Sequence, residues 1–350
     1  MSNFKNLVEV CEYFKQRETC HKYLAAIRWK DGINCPHCSS HAIYCFKDGM
    51  RYTCKDCKKQ FNALTNTIFE NTKIPLQKWF AALWLLSCHK KGISSMQVAH
   101  DLNITQKSAW FMMHRLREML SGGLAAKLNG TVEVDETYIG GKSSNKKHAP
   151  RGEGWANKFV VVGVVERQSY LRLIHVPYLS GQPVTVIEQL VVEKATVYTD
   201  EYKAYRKLKN KGYDHSSVNH GIQEYARDII HTNTIEGAFG LFKRMYVGTY
   251  HYMSFKHLQR YCDELSYRYS TRKLSDTDRF NDALDKCQSR LKYYQLTGVQ
   301  PIEKLRKEEP IKPKPIRNEE SAKRSVNKSR QRAIEQRIKD GYPLPNVYKK

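Results

Sequence analysis

The sequence has no run of about 18 apolar residues, which excludes a membrane-spanning helix of ordinary length. Its start, MSNFKNLVEV, has no apolar segment behind a basic one, so no secretory signal is expected. Negative charge is also scarce: 35 Asp and Glu stand against 59 Lys and Arg, a formal net charge of +24. That imbalance points to an anionic partner, nucleic acid first; a basic surface that only prevents aggregation is the plainer alternative. These absences predict a reducing cytoplasmic setting. There, ten cysteines suggest metal or free thiols before disulfides. At 350 residues the chain is long enough for two or three domains, at least one with a sizeable core.

Four of the cysteines are ordered. Cys35-x2-Cys38 and Cys54-x2-Cys57 are separated by 15 residues, the spacing of a four-cysteine zinc ribbon. Each pair predicts a knuckle presenting two thiolates, and AIYCFKDGMRYTC between them reads as a hairpin turning at Lys47-Asp48-Gly49. Four thiolates leave no open position, so one zinc here would be structural. A pair of redox-active CxxC motifs is the alternative. Cys45 lies inside the hairpin, and Cys11, Cys20, Cys88, Cys262 and Cys287 have no paired spacing.

From Pro75, Trp79, Phe80, Leu83, Trp84 and Leu86 recur at helical spacing, more in the manner of a core than of a base-stacking face. In residues 92–120, Ser94 or Ser95 can cap a short helix holding Val98, Ala99 and Leu102. Asn103-Ile104-Thr105 makes a turn, and Ala109, Met112, Met113 and Leu116 mark a second helix. Short helix, turn and second helix predict a helix-turn-helix, whose second helix can enter the major groove. Gln106, Lys107, Ser108, Trp110, His114 and Arg115 would then lie near DNA; an ordinary helical hairpin is the alternative.

After Gly122-Gly123 the period changes. Residues 131–139, 158–165 and 170–177 read as an antiparallel meander. A helix over 184–194, a strand from 195 turning helical after Asp200, a short strand in 212–220 and a helix over 233–248 follow. Three strands, helix, strand, helix, strand, helix is the order of an RNase H-like α/β domain with a mixed sheet. In that order the first strand is central and carries Asp135. The fourth strand lies beside it and ends at Asp200, and the last helix brings Glu236 to the same edge. Buried carboxylates are costly alone. Two divalent cations about 4 Å apart would neutralise them and suit in-line attack on a phosphodiester; oxygen ligands favour Mg2+ or Mn2+. Lys243, seven residues after Glu236, falls two turns on along the same helix side and can reach a phosphate. Glu133 shares the strand face of Asp135 and is a reserve ligand or a solvated position; Glu136 is expected to point the other way.

The zinc ribbon CPHC…CKDC, KGISSMQVAHDLNITQKSAWFMMHRLR, VEVDETYIGGK, YTDEYKAY, HTNTIEGAFGLFKRMYVGTYHYMS and YCDELSYRYSTRK cover about residues 15–275. In these motifs the chain resembles a DDE transposase of the IS1595 insertion-sequence family, with an ISXO2-like transposase domain. The resemblance implies binding of terminal inverted repeats in double-stranded DNA, strand cleavage, and joining of the free 3′-OH to target DNA. It implies Asp135, Asp200 and Glu236 as metal ligands with Lys243 assisting. Some members of the family have Asn in place of the third acid, and Asn233 lies one turn before Glu236; the step to Lys243 favours Glu236. His231 would touch the scissile phosphate or hydrogen-bond the helix start, and Asn233 or Thr232 would cap that helix. Tyr250, Tyr252, Tyr261, Tyr267 and Tyr269 suit core packing more than DNA reading, and Arg268 and Arg272 suit the DNA backbone or solvent equally.

The expected organisation is a helical segment over 1–30, a zinc ribbon over 31–64, a helix-turn-helix region over 75–122, an RNase H-like catalytic domain over 128–275 and a basic, partly disordered extension over 276–350. Residues 301–350 hold 15 Lys and Arg against 7 acids, suited to non-specific phosphate attraction or to a solvated tail. The expected function is a transposase acting as at least a dimer on DNA. A metal-dependent nuclease without strand transfer, and a catalytically idle DNA-binding regulator, are the rivals.

Overall fold

The computed structural model describes residues 3–121, 126–140, 158–219, 221, 224 and 226–298. Asn6 starts helix α1 (Leu7–Tyr13) by accepting the Glu9 N–H, an N-cap. Helix α2 (Arg17–Arg28) follows. Next come three short antiparallel strands, β1 (Ile43–Cys45), β2 (Arg51–Cys54) and β3 (Gln60–Asn62). The β1–β2 hairpin turns where expected. Gly49 has φ 65°, and the Asp48 carboxylate accepts from Met50 N, Arg51 N and Arg51 Nε.

Helix α3 (Leu76–Cys88) is apolar on nearly every side and is buried accordingly, Trp79, Phe80 and Leu83 included. Helices α4 (Ser95–Asp101) and α5 (Gln106–Ser121) pack together across a turn. Ser94 caps α4 by accepting the Gln97 N–H. Asn103, with φ 45°, makes the left-handed reversal that Asn tolerates better than most residues.

The segments expected to be separate near the N-terminus share one core. Phe14 meets Phe80 at 4.7 Å between ring centres, and Phe80 meets Phe280 at 5.8 Å. Phe280 belongs to helix α9 (Asp276–Asp285), so the extension expected from residue 276 begins with a helix that returns to this core. The reason is the apolar stripe of Phe280, Ala283 and Leu284, which needs a partner surface. Residues 301–350 and the segment 141–157 lie outside the described residues.

The central sheet runs β6-β5-β4-β7-β8. Strands β4 (Thr131–Ile139), β5 (Phe159–Glu166) and β6 (Leu171–Val176) form the antiparallel meander. Strands β7 (Thr196–Thr199) and β8 (Asp214–Ser217) continue it in parallel. Val132 and Val134 pack on the side of helix α6 (Gln182–Leu190). The other face packs on helices α7 (Asn233–Met245) and α8 (Leu258–Ser270). The helix expected after Asp200 is instead two 3-10 turns, Lys203–Lys207 and Lys209–Lys211. Tyr205 and Leu208 are buried three residues apart, a spacing that favours the three-residue period. A two-stranded ribbon, β9 (Ala226–Arg227) and β10 (Ile230–His231), precedes α7. Helix α7 ends at Met245 and passes into a π-turn, Tyr246–Tyr250, rather than running on to Gly248. Among the described residues no helix is long and apolar enough to cross a membrane.

Candidate active site and metal centre

The four ribbon sulfurs lie within 4.8 Å of one another. Cys35 and Cys57 Sγ are 3.7 Å apart and Cys38 and Cys54 Sγ 3.6 Å. Sulfurs each 2.3 Å from a tetrahedral zinc would be about 3.8 Å apart, so the set fits that ion. Each knuckle is closed by its own backbone. Ser39 N–H donates to Cys35 O and Lys58 N–H to Cys54 O, with Ser39 and Lys58 in the left-handed region. Cys45 is exposed and outside the set.

The second cluster joins Asp135 and Asp200 with Glu136; their carboxylate oxygens also lie within 4.8 Å of one another. Glu136 was expected on the opposite face of β4. Side chains alternate along β4 as expected, but on a side with no paired strand the carboxylates of neighbouring residues can both reach a third group at that side. Strand β7 pairs with β4 only from Thr131 to Glu133. Continuing that register by two residues sets Asp200 opposite Asp135, where the chain leaves the sheet. Beyond that point β4 has no partner on its β7 side, and the acids lie where the parallel strand β7 ends, the usual place for a site in such sheets. The only sequence signal for Glu136 was its adjacency to Asp135.

Tyr205, on the first 3-10 turn, donates its hydroxyl to Glu136 Oε1. Burial is the main cause that pushes the Glu136 carboxyl up to about 8, with Asp200 and Asp135 adding to it. Three carboxylates this close resist simultaneous ionisation, which is the state a hard divalent cation would stabilise. The donor set therefore fits such an ion.

Glu236 lies outside that cluster. Its Oε1 accepts the Thr232 hydroxyl at 2.9 Å. On α7, Asn233, Glu236 and Lys243 are all exposed. Thr232 occupies the N-cap position without capping through its side chain. The cap comes from the sheet instead. Glu133, fully buried, accepts the N–H groups of Thr234 and Ile235 at 2.8 and 3.0 Å and the Thr234 hydroxyl at 2.8 Å. Arg167 Nε donates to the same carboxylate at 2.6 Å, and His231 Nδ1 lies 3.3 Å from it. These bonds occupy the oxygens of Glu133, so the reserve ligand is an anchor for α7. His231 shares that anchor, since its carbonyl accepts from Arg167. The helix is also pressed close to the sheet: a Cβ at Gly163, the strand partner of Asp135, would lie 2.6 Å from Ile235 Cδ1.

The residues expected near DNA divide. Gln106 and Lys107 are exposed, and Ser108 and Trp110 half-buried, at the start of α5. His114 and Arg115 are buried: His114 packs on Trp110, His257 and Tyr261, and Arg115 donates to the Glu70 carbonyl and stacks on Trp79. They face the core because α5 has helices on more than one side. Arg268 is likewise buried, paired with Glu264, which also accepts from Arg117 Nε at 2.6 Å and the Tyr250 hydroxyl at 2.7 Å. Tyr261 and Tyr267 are buried, whereas Tyr252 is exposed. Arg272 lies over the Tyr269 ring at the surface.

The sheet order, with acids on its central strand and at the end of the neighbouring parallel one, fits an RNase H-like transposase domain. Residues 127–270 match the ISXO2-like transposase domain and residues 15–60 the transposase zinc-ribbon domain, together more than half of the chain. The chain belongs to the IS1595 family of insertion-sequence transposases. It is 29% identical over 240 residues to the uncharacterized protein in transposable element ISH50 of Halobacterium salinarum, across 63% of this chain and 80% of that protein. The Mos1 strand transfer complex is similar at 11% identity and TM-score 0.25, over 60% of this chain and 74% of that one. A pre-cleavage Mos1 transpososome gives 11% and 0.24, over 63% and 77%.

Proposed function

We propose that this chain binds the inverted-repeat ends of its element in double-stranded DNA, cuts them, and joins the freed 3′-OH to target DNA. The observation that carries the reading is the meeting of Asp135, Glu136 and Asp200 oxygens within 4.8 Å where β7 ends beside the central strand. Asp135 and Asp200 are the principal ligands for Mg2+ or Mn2+, with Glu136 beside them. Glu236 completes the set from α7; Asn233 is its alternative. Bound cations supply the Lewis acidity that activates an attacking oxygen and stabilises a leaving one. Lys243, exposed on α7, contacts the phosphate next to the cut. Cys35, Cys38, Cys54 and Cys57 hold one structural zinc. Gln106, Lys107, Ser108 and Trp110 are the base- and backbone-reading positions of the α4–α5 pair, and a dimer brings two ends together.

The test is a gel assay of cleavage and strand transfer on a duplex bearing the element's own end. Asp135→Ala and Asp200→Ala are expected to abolish both in Mg2+ and Mn2+, and Glu236→Gln to do the same while Asn233→Ala stays active. Joining lost only in Asn233→Ala would exchange the third ligand. End binding without cleavage in any metal would refute the enzyme reading.

A further inference from the structure

The two 3-10 turns that follow Asp200 carry a feature the cation site does not use. From Tyr202 to Gly212 the chain reads YKAYRKLKNKG, with five cations and no acid. Lys203, Arg206, Lys207, Lys209 and Lys211 are all exposed. Among the described residues only Lys211 of these five forms an ion pair, with Glu188. The backbone bonds Tyr205 N–Tyr202 O, Leu208 N–Tyr205 O and Lys211 N–Leu208 O, each 3.0 Å, fix a three-residue period. With that period, residues three apart eclipse. Tyr205 and Leu208 form the buried row, at 1% and 0% exposure. Lys203, Arg206 and Lys209 form an outward row, spaced roughly 6 Å apart at about 2 Å per residue.

The row is anchored to the site at both levels of structure. Asp200 Oδ1 accepts the Tyr202 N–H at 3.0 Å, so the turn begins on the acid cluster itself. Tyr205, between the first two cations of the row, donates to Glu136. A solvated charge run needs neither a buried spine nor a fixed spacing. Evenly spaced cations on a rigid support match a polyanion with regularly spaced charges, which a duplex backbone is.

We infer that Lys203, Arg206 and Lys209 form a track for the phosphate backbone of duplex DNA of arbitrary sequence, laid beside the acid cluster. This rests on the strand-transfer reading above and gives the target duplex, rather than the element's end, a place on the protein. The track offers a row of charges at regular spacing along the phosphate backbone, and phosphate contacts position a duplex without reading its sequence.

The experiment uses the full chain and a short duplex of unrelated sequence, with affinity measured by fluorescence anisotropy over a salt series. Lys203→Gln/Arg206→Gln/Lys209→Gln is compared with Lys5→Gln/Lys15→Gln/Lys22→Gln, exposed cations before, between and on the N-terminal helices, whose loss removes the same charge. The basic C-terminal residues are present in both. The track variant is expected to lower the slope of log affinity against log salt by about 2.7, about 0.9 for each phosphate no longer neutralised, and the control to leave it at the wild-type value. Equal changes in the two variants, or none in the track variant, would overturn the inference. Both variants are melted first to establish that each is folded. End cleavage separates the two readings. A track variant that nicks its own end normally but keeps the wild-type slope refutes the track alone. A wild type that never joins strands, yet shows the slope difference, refutes the strand-transfer reading alone.

Discussion

The zinc ribbon and the acid cluster each bring ligand atoms within 4.8 Å of one another, by opposite means. The ribbon draws its sulfurs from residues 35–57, and each knuckle is shaped by its own backbone hydrogen bonds. The acid cluster joins the neighbours Asp135 and Glu136 to Asp200, and no local turn brings Asp200 to the other two. They meet because β7 pairs in parallel with β4 and stops after Thr199. A site made of local turns should fail alone and completely when its ion is lost. A site made of strand register should fail when distant supports are moved.

The largest expected effect breaks the local site. Cys54→Ser replaces a fully buried ligand. A structural zinc in such a module contributes on the order of 10 kcal/mol to folding. Zinc content should fall from one per chain to near zero, and hydrogen exchange should show β1–β3 unprotected while the central sheet stays protected. Unchanged exchange in β1–β3 would mean that the ribbon holds its shape without the ion.

The next breaks a distant support. Glu133→Ala leaves Arg167 without its carboxylate and the first N–H groups of α7 without their cap. Removing one partner of a buried pair costs about 3–5 kcal/mol. Thermal melting should report that loss, and strand cleavage should fall although Asp135, Glu136 and Asp200 are intact. Cleavage at the wild-type rate in folded Glu133→Ala would show that the position of α7 does not matter to the site.

The smallest sharpens the electrostatic difference. The Glu136 carboxyl is raised from an ordinary 4.5 to about 8. The native state therefore holds a proton that the unfolded chain has released. Stability is undiminished below about pH 4.5, declines as pH rises toward about 8, and is level above that. In protein kept free of Mg2+ and Mn2+ but with its zinc retained, the melting temperature should fall across this window. Mg2+ should restore more stability at pH 8 than at pH 5, and Glu136→Gln should flatten the profile. A flat profile in the wild type would mean the three acids are not crowded.

Much of the chain was legible before folding because its signals are local. The CxxC spacing, the Asp48-Gly49 turn, the Ser94 cap and the alternation in β4 each follow from a few neighbouring residues. The order of elements then placed β4 at the centre of the sheet and Asp200 beside Asp135. The helical period of α5 was equally plain. It marked His114 and Arg115 as polar and near the groove, while the fold buries both, because periodicity describes one helix and not what packs on its other sides.

What the sequence determined by itself was the set of chemically able residues and the order of the elements that carry them. Tertiary structure decided which acids meet. Glu136 entered the cluster because β7 ends early and opens the edge of β4. Glu133 left the candidate ligands because the α7 N-terminus and Arg167 take its oxygens. Phe280 joined the N-terminal core because its apolar stripe required a surface. Spacing along a chain fixes local geometry, but the pairing of a carboxylate depends on whatever distant donor the fold brings to it first.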